Sequence, residues 1–272
     1  MKAYITLLTL LNLLFLNLRA QQLFNPIGAD TWGVAGSSVA SQNVWSVLNN
    51  PAGFSALKKN QVGIYSTQQF QETKLSTASA VVVLPSKFIT IGVGINYFGY
   101  SLFNQQKISA SLSKQLFNQF SLGVTLSYFG TTITEQQHAG NILGEIGLLY
   151  KVNSKCHLGL FIFNPTQSKY STQSIDKIPT YARIGVDYNV SEKVKLLGEV
   201  DQTLNQKLVL RGGIKYQIHE VLSLSIGAAN NPAYLTFGTG IKLKQLKVDF
   251  AASFHQTLGF SPHVGLSFPV QK

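Results

Sequence analysis

From Val62 onward the chain repeats one pattern: apolar side chains alternate with polar or small ones, and each run closes in a short polar turn. In the run from Tyr181 to Tyr188, Ala182, Ile184, Val186 and Tyr188 share one face, and Tyr181, Arg183, Gly185 and Asp187 share the other. The same division sets Val194, Leu196, Gly198 and Val200 against Lys195, Leu197, Glu199 and Asp201. It also sets Leu208, Leu210, Ile214 and Tyr216 against Arg211 and Lys215, and Val248, Phe250, Ala252 and Phe254 against Lys247, Asp249 and Ser253. Successive strand side chains point to opposite faces, so each run reads as a strand with one apolar and one polar face. The runs predict strands at 61–70, 75–84, 88–98, 104–114, 119–130, 139–151, 156–164, 180–188, 193–201, 207–216, 220–229, 233–242, 246–254 and 262–269.

Composition decides which face meets which medium. Only 12% of the residues are charged, and 23 are glycine. A soluble sandwich buries its apolar faces and needs a solvated face richer in charge than this. The pattern therefore predicts an all-β fold: a transmembrane antiparallel barrel of about fourteen strands, passing many times through an outer membrane, with its charges in the lumen. After the first twenty residues no apolar run approaches the roughly 20 residues of a spanning helix. An even strand number returns both barrel ends to one side. The connections on that side, at 85–87, 115–118, 152–155, 189–192, 217–219 and 243–245, are short; on the other side 131–138, 165–179 and 255–261 are longer, while 202–206 and 230–232 break the trend. Aromatic residues gather at strand ends, among them Tyr97, Phe98, Tyr100, Tyr128, Phe129, Tyr150, Phe161, Phe163, Tyr188, Tyr216, Phe254 and Phe268, and are expected to form interfacial girdles.

Lys2 followed by the apolar run from Ile5 to Leu18 reads as a secretory leader, with cleavage expected after Ala20. The formal balance of 22 basic and 11 acidic residues is +11; removing Lys2 and Arg19 with the leader leaves 20 minus 11, or +9. The basic residues are dispersed along the sequence, which argues against nucleic acid as a partner and for solvated loop charge. The single cysteine, Cys156, excludes an intramolecular disulfide framework and a CxxC site.

Residues 21–60 are too broken by glycine and asparagine to be membrane strands. They run from Gly28-Ala29-Asp30-Thr31-Trp32-Gly33-Val34-Ala35-Gly36 through Ser38-Val39-Ala40 to Val44-Trp45-Ser46-Val47-Leu48-Asn49-Asn50-Pro51-Ala52-Gly53. Pro51 disfavours helix at Asn50, so a short helix near 43–48 is expected to stop there. This stretch resembles the long-chain fatty-acid transporter (FadL) superfamily and its PorV and PorQ relatives of the type IX secretion apparatus, which carry a Gly/Ala-rich segment and an "NNPAG" turn just before the first strand. The resemblance implies a hatch lying inside a fourteen-stranded barrel of residues 61–272, with Trp32, Trp45, Asn49, Asn50 and Pro51 as hatch or gate residues. It also implies a hydrophobic or amphipathic small-molecule cargo or, alternatively, a scaffold role with secretion-system or surface proteins as partners, beside outer-membrane lipid. The chain has no room for the extended helical outer loops of the fatty-acid transporters.

No catalytic residue, metal site or cofactor is expected. The five histidines, His138, His157, His219, His255 and His263, lack ligand spacing, and His255 and His263 are expected to flank a loop. Gly92-Val93-Gly94 and Gly238-Thr239-Gly240 lie within strands and read as kinks or places of close hatch approach rather than nucleotide loops. Folding the hairpins symmetrically about 191 and 205 sets Arg183 opposite Glu199 and Glu199 opposite Arg211. The same register puts Asp187, Lys195 and Lys215 in a second luminal row. These rows are expected to brace the lumen or hold the hatch, because isolated charge in a narrow interior is unfavourable without partners.

Overall fold

The structure is a computed structural model that describes residues 25–134, 137–170 and 177–270. The expected leader at 1–20 lies outside them. Fourteen antiparallel strands close into one barrel, each paired with its sequence neighbours and β1 with β14. They are β1 Asn60–Gln68, β2 Ser76–Pro85, β3 Thr90–Tyr100, β4 Phe103–Gln115, β5 Phe120–Ile133, β6 Gln137–Lys151, β7 Cys156–Phe163, β8 Tyr181–Asn189, β9 Val194–Thr203, β10 Val209–His219, β11 Leu222–Asn230, β12 Ala233–Leu243, β13 Leu246–His255 and β14 Gly259–Val270. Closure runs from Asn60 opposite Val270 to Thr67 opposite His263, so neither edge is left bare.

The outer wall is apolar on strand after strand. Leu126 is 62% exposed, and Ile64, Val93, Ile108, Ile184, Leu210, Ile226, Leu235 and Phe250 also point outward. Such a belt on a closed barrel is the surface of a membrane-spanning β-protein, since every strand amide is already paired within the wall. The luminal face carries the polar residues: Ser109 bonds Ser127 (2.8 Å), Ser127 donates to Glu145 (2.7 Å), and Ser111 bonds Thr125 (2.7 Å).

Three sequence expectations are corrected. Tyr97, Tyr128, Tyr188, Tyr216 and Phe254 are exposed on the outer wall, but Phe98, Phe129, Phe161 and Phe163 are buried in the lumen. Adjacent strand residues cannot face the same side, so Tyr97 and Phe98, or Tyr128 and Phe129, cannot both join a girdle. The connections expected at 131–138 and 255–261 are mostly strand: β5 runs to Ile133 before β6 starts at Gln137, and β14 starts at Gly259 after β13 ends at His255. Paired strands continue beyond the apolar belt there, leaving 164–180 as the longest connection. His263 flanks no loop; it lies inside β14 and faces the lumen at 2% exposure.

Replacing Leu126 by Arg should lower the unfolding free energy in a lipid bilayer by about 2–4 kcal/mol, the range for a charge at mid-membrane depth on a barrel wall. Urea titration in vesicles measures this, and an unchanged midpoint would contradict the assignment of that face to lipid.

Candidate functional site

Residues 26–56 pack against the luminal side of the wall as helical turns at Ala29–Trp32 and Ser46–Asn49 and a 3-10 turn at Pro51–Phe54. The second helical turn is shorter than the 43–48 expected, because Asn43 Oδ1 accepts from Trp45 N (3.0 Å) and Asn43 O from Ser46 N (3.2 Å) before regular helix begins. Trp32 donates from Nε1 to Pro26 O (2.8 Å) and stacks on His263 with ring centroids 4.5 Å apart. Trp45 is 1% exposed and meets the Tyr65 ring edge-on at 6.1 Å. Asn49 clamps one residue twice, accepting from Ile27 N and donating to Ile27 O, both at 2.8 Å. Asn50 donates to Val39 O (2.5 Å) and, at 3.4 Å, to the wall carbonyls of Leu148 and Leu160. Pro51 starts the 3-10 turn, where its missing N–H leaves no donor unsatisfied. Close approach depends on bare backbone in the wall: a side chain at Gly159 would collide with the Val39 carbonyl, and one at Gly123 with Pro51.

The luminal charges meet this segment directly. Glu199 Oε2 accepts from two consecutive amides, Ser38 N (2.6 Å) and Val39 N (2.8 Å). Arg211 donates from Nε to Asp201 Oδ2 (2.9 Å) and from Nη1 to Tyr234 Oη (2.9 Å), and Tyr234 donates to Ala35 O (3.0 Å). Arg183 lies 3.8 Å from Glu199 and 3.7 Å from Asp201. The Arg211–Glu199 register is as the symmetric fold about 205 requires. The β8–β9 register is not: Arg183 sits opposite Asp201, and Glu199 opposite Gly185. That turn centres on Glu192, with the Ser191 hydroxyl accepting from Lys193 N and Val194 N. The row therefore contains Asp201, which sequence reasoning left out, between the two arginines.

The second row is also rearranged. Asp187 takes Lys195 at 3.0 Å, and Lys215 lies opposite Lys195 but reaches toward Asp30 of the N-terminal segment at 3.8 Å. Asp30 receives Lys247 at 3.0 Å, and Lys247 also meets Asp249 at 2.9 Å. Burial pushes the Asp30 carboxyl up, but Lys247 and Lys215 outweigh that and hold it at about 2, below the ordinary 3.8. A cavity of about 300 Å³ opens beside this cluster at the barrel end that carries Asn60 and Val270. It is lined by Asp30, Ser41, Gln42, Asp187, Lys193 and Lys195.

Toward the other rim the lumen holds an apolar cluster. Phe98, Phe129, Leu143, Phe161, Phe163 and Tyr181 cluster there with Val39 below and Ile178 of the β7–β8 connection above. Charged groups border them: Lys107 meets Glu145 at 2.6 Å, with its ammonium 5.1 Å from the Phe163 ring centre, and the Arg183 guanidinium lies 4.8 Å from the Tyr181 ring centre. Among the described residues no group of three or more His, Cys, Asp or Glu is placed to hold a metal ion.

No family model matches the chain, and no curated protein sequence is significantly similar to it. Solved structures are. The toluene transporter TbuX of Ralstonia pickettii superposes with a TM-score of 0.69 at 11% identity, over 91% of this chain and 99% of that one. The toluene transporter TodX of Pseudomonas putida gives 0.68 at 12% identity, over 92% and 100%. This chain has the fold of these transporters. A FadL homologue of Pseudomonas aeruginosa also shares it, with a TM-score of 0.67 at 11% identity, over 90% and 98%.

Two outcomes follow from the charge contacts. Glu199→Gln should lower stability in detergent by about 1–3 kcal/mol, the range for losing hydrogen bonds to a buried acceptor. Amide exchange at Ser38 and Val39 should rise with it, and unchanged protection at those amides would rule out the tether. Asp30 has a folded pKa below its unfolded one, so its contribution is fully present above about pH 4 and fades as pH falls through about 2. The stability gap between wild type and Asp30→Asn should accordingly be constant from pH 8 to about 4 and close toward pH 2; a gap that closes already near pH 5 would show that the lysines do not hold the carboxylate.

Proposed function

We propose that the protein is a plugged outer-membrane channel for a small hydrophobic molecule, with residues 21–60 as its hatch and the aromatic compartment as the place where the molecule rests. The observation that carries this reading is the division of the lumen. One half holds the apolar cluster of Phe98, Phe129, Phe163 and Tyr181, bordered by Lys107, Glu145 and Arg183, the other opens into a polar cavity, and the N-terminal segment lies between them. A small apolar solute gains by transfer into the first half and meets ion pairs beyond it, so passage requires the hatch to shift. Trp32, Trp45, Asn49, Asn50 and Pro51 hold that segment in shape, while Glu199, Tyr234 and Lys247 tie it to the wall. The similarity in fold to the toluene transporters TbuX and TodX supports this reading.

Cells carrying the barrel in their outer membrane should take up labelled toluene several-fold faster than cells without it, with no gain for glycerol. Phe163→Ala should lower the apparent affinity for toluene about tenfold, as expected for losing one buried aromatic contact. Equal uptake with and without the protein would overturn the reading.

A scaffold or accessory role in a type IX-like secretion system is the second reading. It is favoured by exposed leucines at outer hairpin tips, Leu102 at 55%, Leu204 at 58% and Leu258 at 51%, which lie beyond the strands that bound them. Isolation in mild detergent followed by mass spectrometry separates the two: a stoichiometric surface or secretion protein marks the scaffold, and a retained hydrophobic molecule without protein partners marks passage.

A further inference from the structure

The luminal ion pairs use six basic and six acidic side chains, so their charges cancel and the basic excess of the chain lies elsewhere. It stands on the rim where the short turns emerge. Lys58 and Lys59 precede β1, Lys87 is in the β2–β3 turn and Lys114 is near the end of β4. Lys151 and Lys155 flank the β6–β7 turn, and Lys242 and Lys244 lie at the β12–β13 turn. These places are consecutive around the barrel, because the β1–β14 seam separates the β12–β13 turn from the β2–β3 turn. Their connections contain no Asp or Glu; the acidic residues of the rim turns, Glu192 and Glu220, are in the β8–β9 and β10–β11 turns. All eight lysines of the arc are exposed, and among the described residues none of them forms an ion pair.

The arc borders the mouth of the barrel as well as its outer edge. Lys242 lies opposite Lys247, whose ammonium reaches Asp30 in the lumen, so the two share the inner face. Lys151 follows by two residues Leu149, which is buried with Ala40 and Ala52 of the N-terminal segment, so it too points inward. Lipid headgroups around the outer wall do not reach these positions; a soluble partner approaching the mouth does. Two cavities of about 310 and 340 Å³ lie along this part of the mouth and share Lys58 and Pro85. One extends to Gln245, Pro269 and Val270, the other to Lys87, so together they form a groove with apolar lining and basic edges. Like charges this concentrated repel one another and gain when carboxylates approach, and such an arc also steers an oppositely charged partner toward it.

We propose that the arc docks an extended acidic polypeptide segment of a soluble partner on the short-turn side of the membrane. Its carboxylates pair with the lysines, and its backbone lies in the groove between Gln245 and Lys87. This face is separate from the lumen, so the proposal does not rest on what the barrel passes.

The experiment is fluorescence anisotropy of labelled decaglutamate with the full chain in phosphatidylcholine discs, with a neutral Gly-Ser decapeptide as control. Wild type should bind decaglutamate and not the neutral peptide. Lys58→Gln/Lys59→Gln/Lys87→Gln/Lys244→Gln should weaken binding about tenfold or more, the combined effect of losing four exposed ion pairs. Lys74→Gln/Lys169→Gln/Lys177→Gln/Lys207→Gln removes the same charge from the opposite rim and should leave the affinity unchanged. Absence of decaglutamate binding, or an equal loss in both variants, would overturn the proposal. A lipid occupant is the other way to lose it: native mass spectrometry would then show phosphatidylglycerol retained over phosphatidylcholine and released by the short-turn substitutions, while decaglutamate binding ignored them. Melting midpoints in detergent check that both variants fold, and Lys87→Gln/Lys244→Gln, both in exposed turns, gives the same comparison if the larger set does not.

Discussion

In lipid an unpaired peptide N–H or C=O costs several kcal/mol, and this one constraint organises the molecule from wall to centre. It forces β1 onto β14, because any open edge would expose a ladder of amides to acyl chains. Closure then creates an interior that the N-terminal segment packs into. The charges expelled from the lipid face have to be satisfied inside it, where ions without partners are strongly disfavoured. The N-terminal segment answers that requirement, and its own backbone amides present the same problem in reverse. Glu199 takes two amides of the segment, Tyr234 serves one of its carbonyls, and Asn50 reaches wall carbonyls of Leu148 and Leu160. Wall and segment complete each other's hydrogen bonding, so neither is adequately described alone.

The strands were legible because their signal is a period of two and the chain carries little charge. A half-buried strand in water and a lipid-facing strand differ in what lies on the polar face, and 12% charge over this length decides between them. Register was not legible to the same degree. Moving Arg183 from opposite Glu199 to opposite Asp201 shifts the β8–β9 pairing by two residues and leaves every side chain on its own face. Periodicity cannot detect such a shift; only the Ser191-capped turn fixes it. The aromatic compartment had a readable signal in the alternation itself. Phe98 and Phe129 follow Tyr97 and Tyr128, and applying the period strictly puts one of each pair in the lumen. The contacts of Asp30 with Lys215 and Lys247 had none, since they join residues far apart in the chain through a segment without periodicity.

The distribution of anchors along the N-terminal segment limits how it can move. Residues 27–39 are held by the Asn49 clamp on Ile27, by Lys247 on Asp30, by Tyr234 on Ala35 and by Glu199 on Ser38 and Val39. Residues 50–52 are wedged against Gly123 and Gly147. Between them Ser41, Gln42 and Asn43 are half-buried and line the open polar cavity. Removing the whole segment would strip Glu199 of the two amides that donate to it and Lys247 of Asp30, and a buried charge left without its partner is strongly destabilising. On the proposed reading, passage therefore proceeds by local displacement near Ser41 to Asn43 with the flanking anchors intact. Val39 lies at the boundary: its amide is bound to Glu199 while its side chain packs into the aromatic cluster, so a solute that displaces this side chain pulls directly on the Glu199 tether between segment and wall.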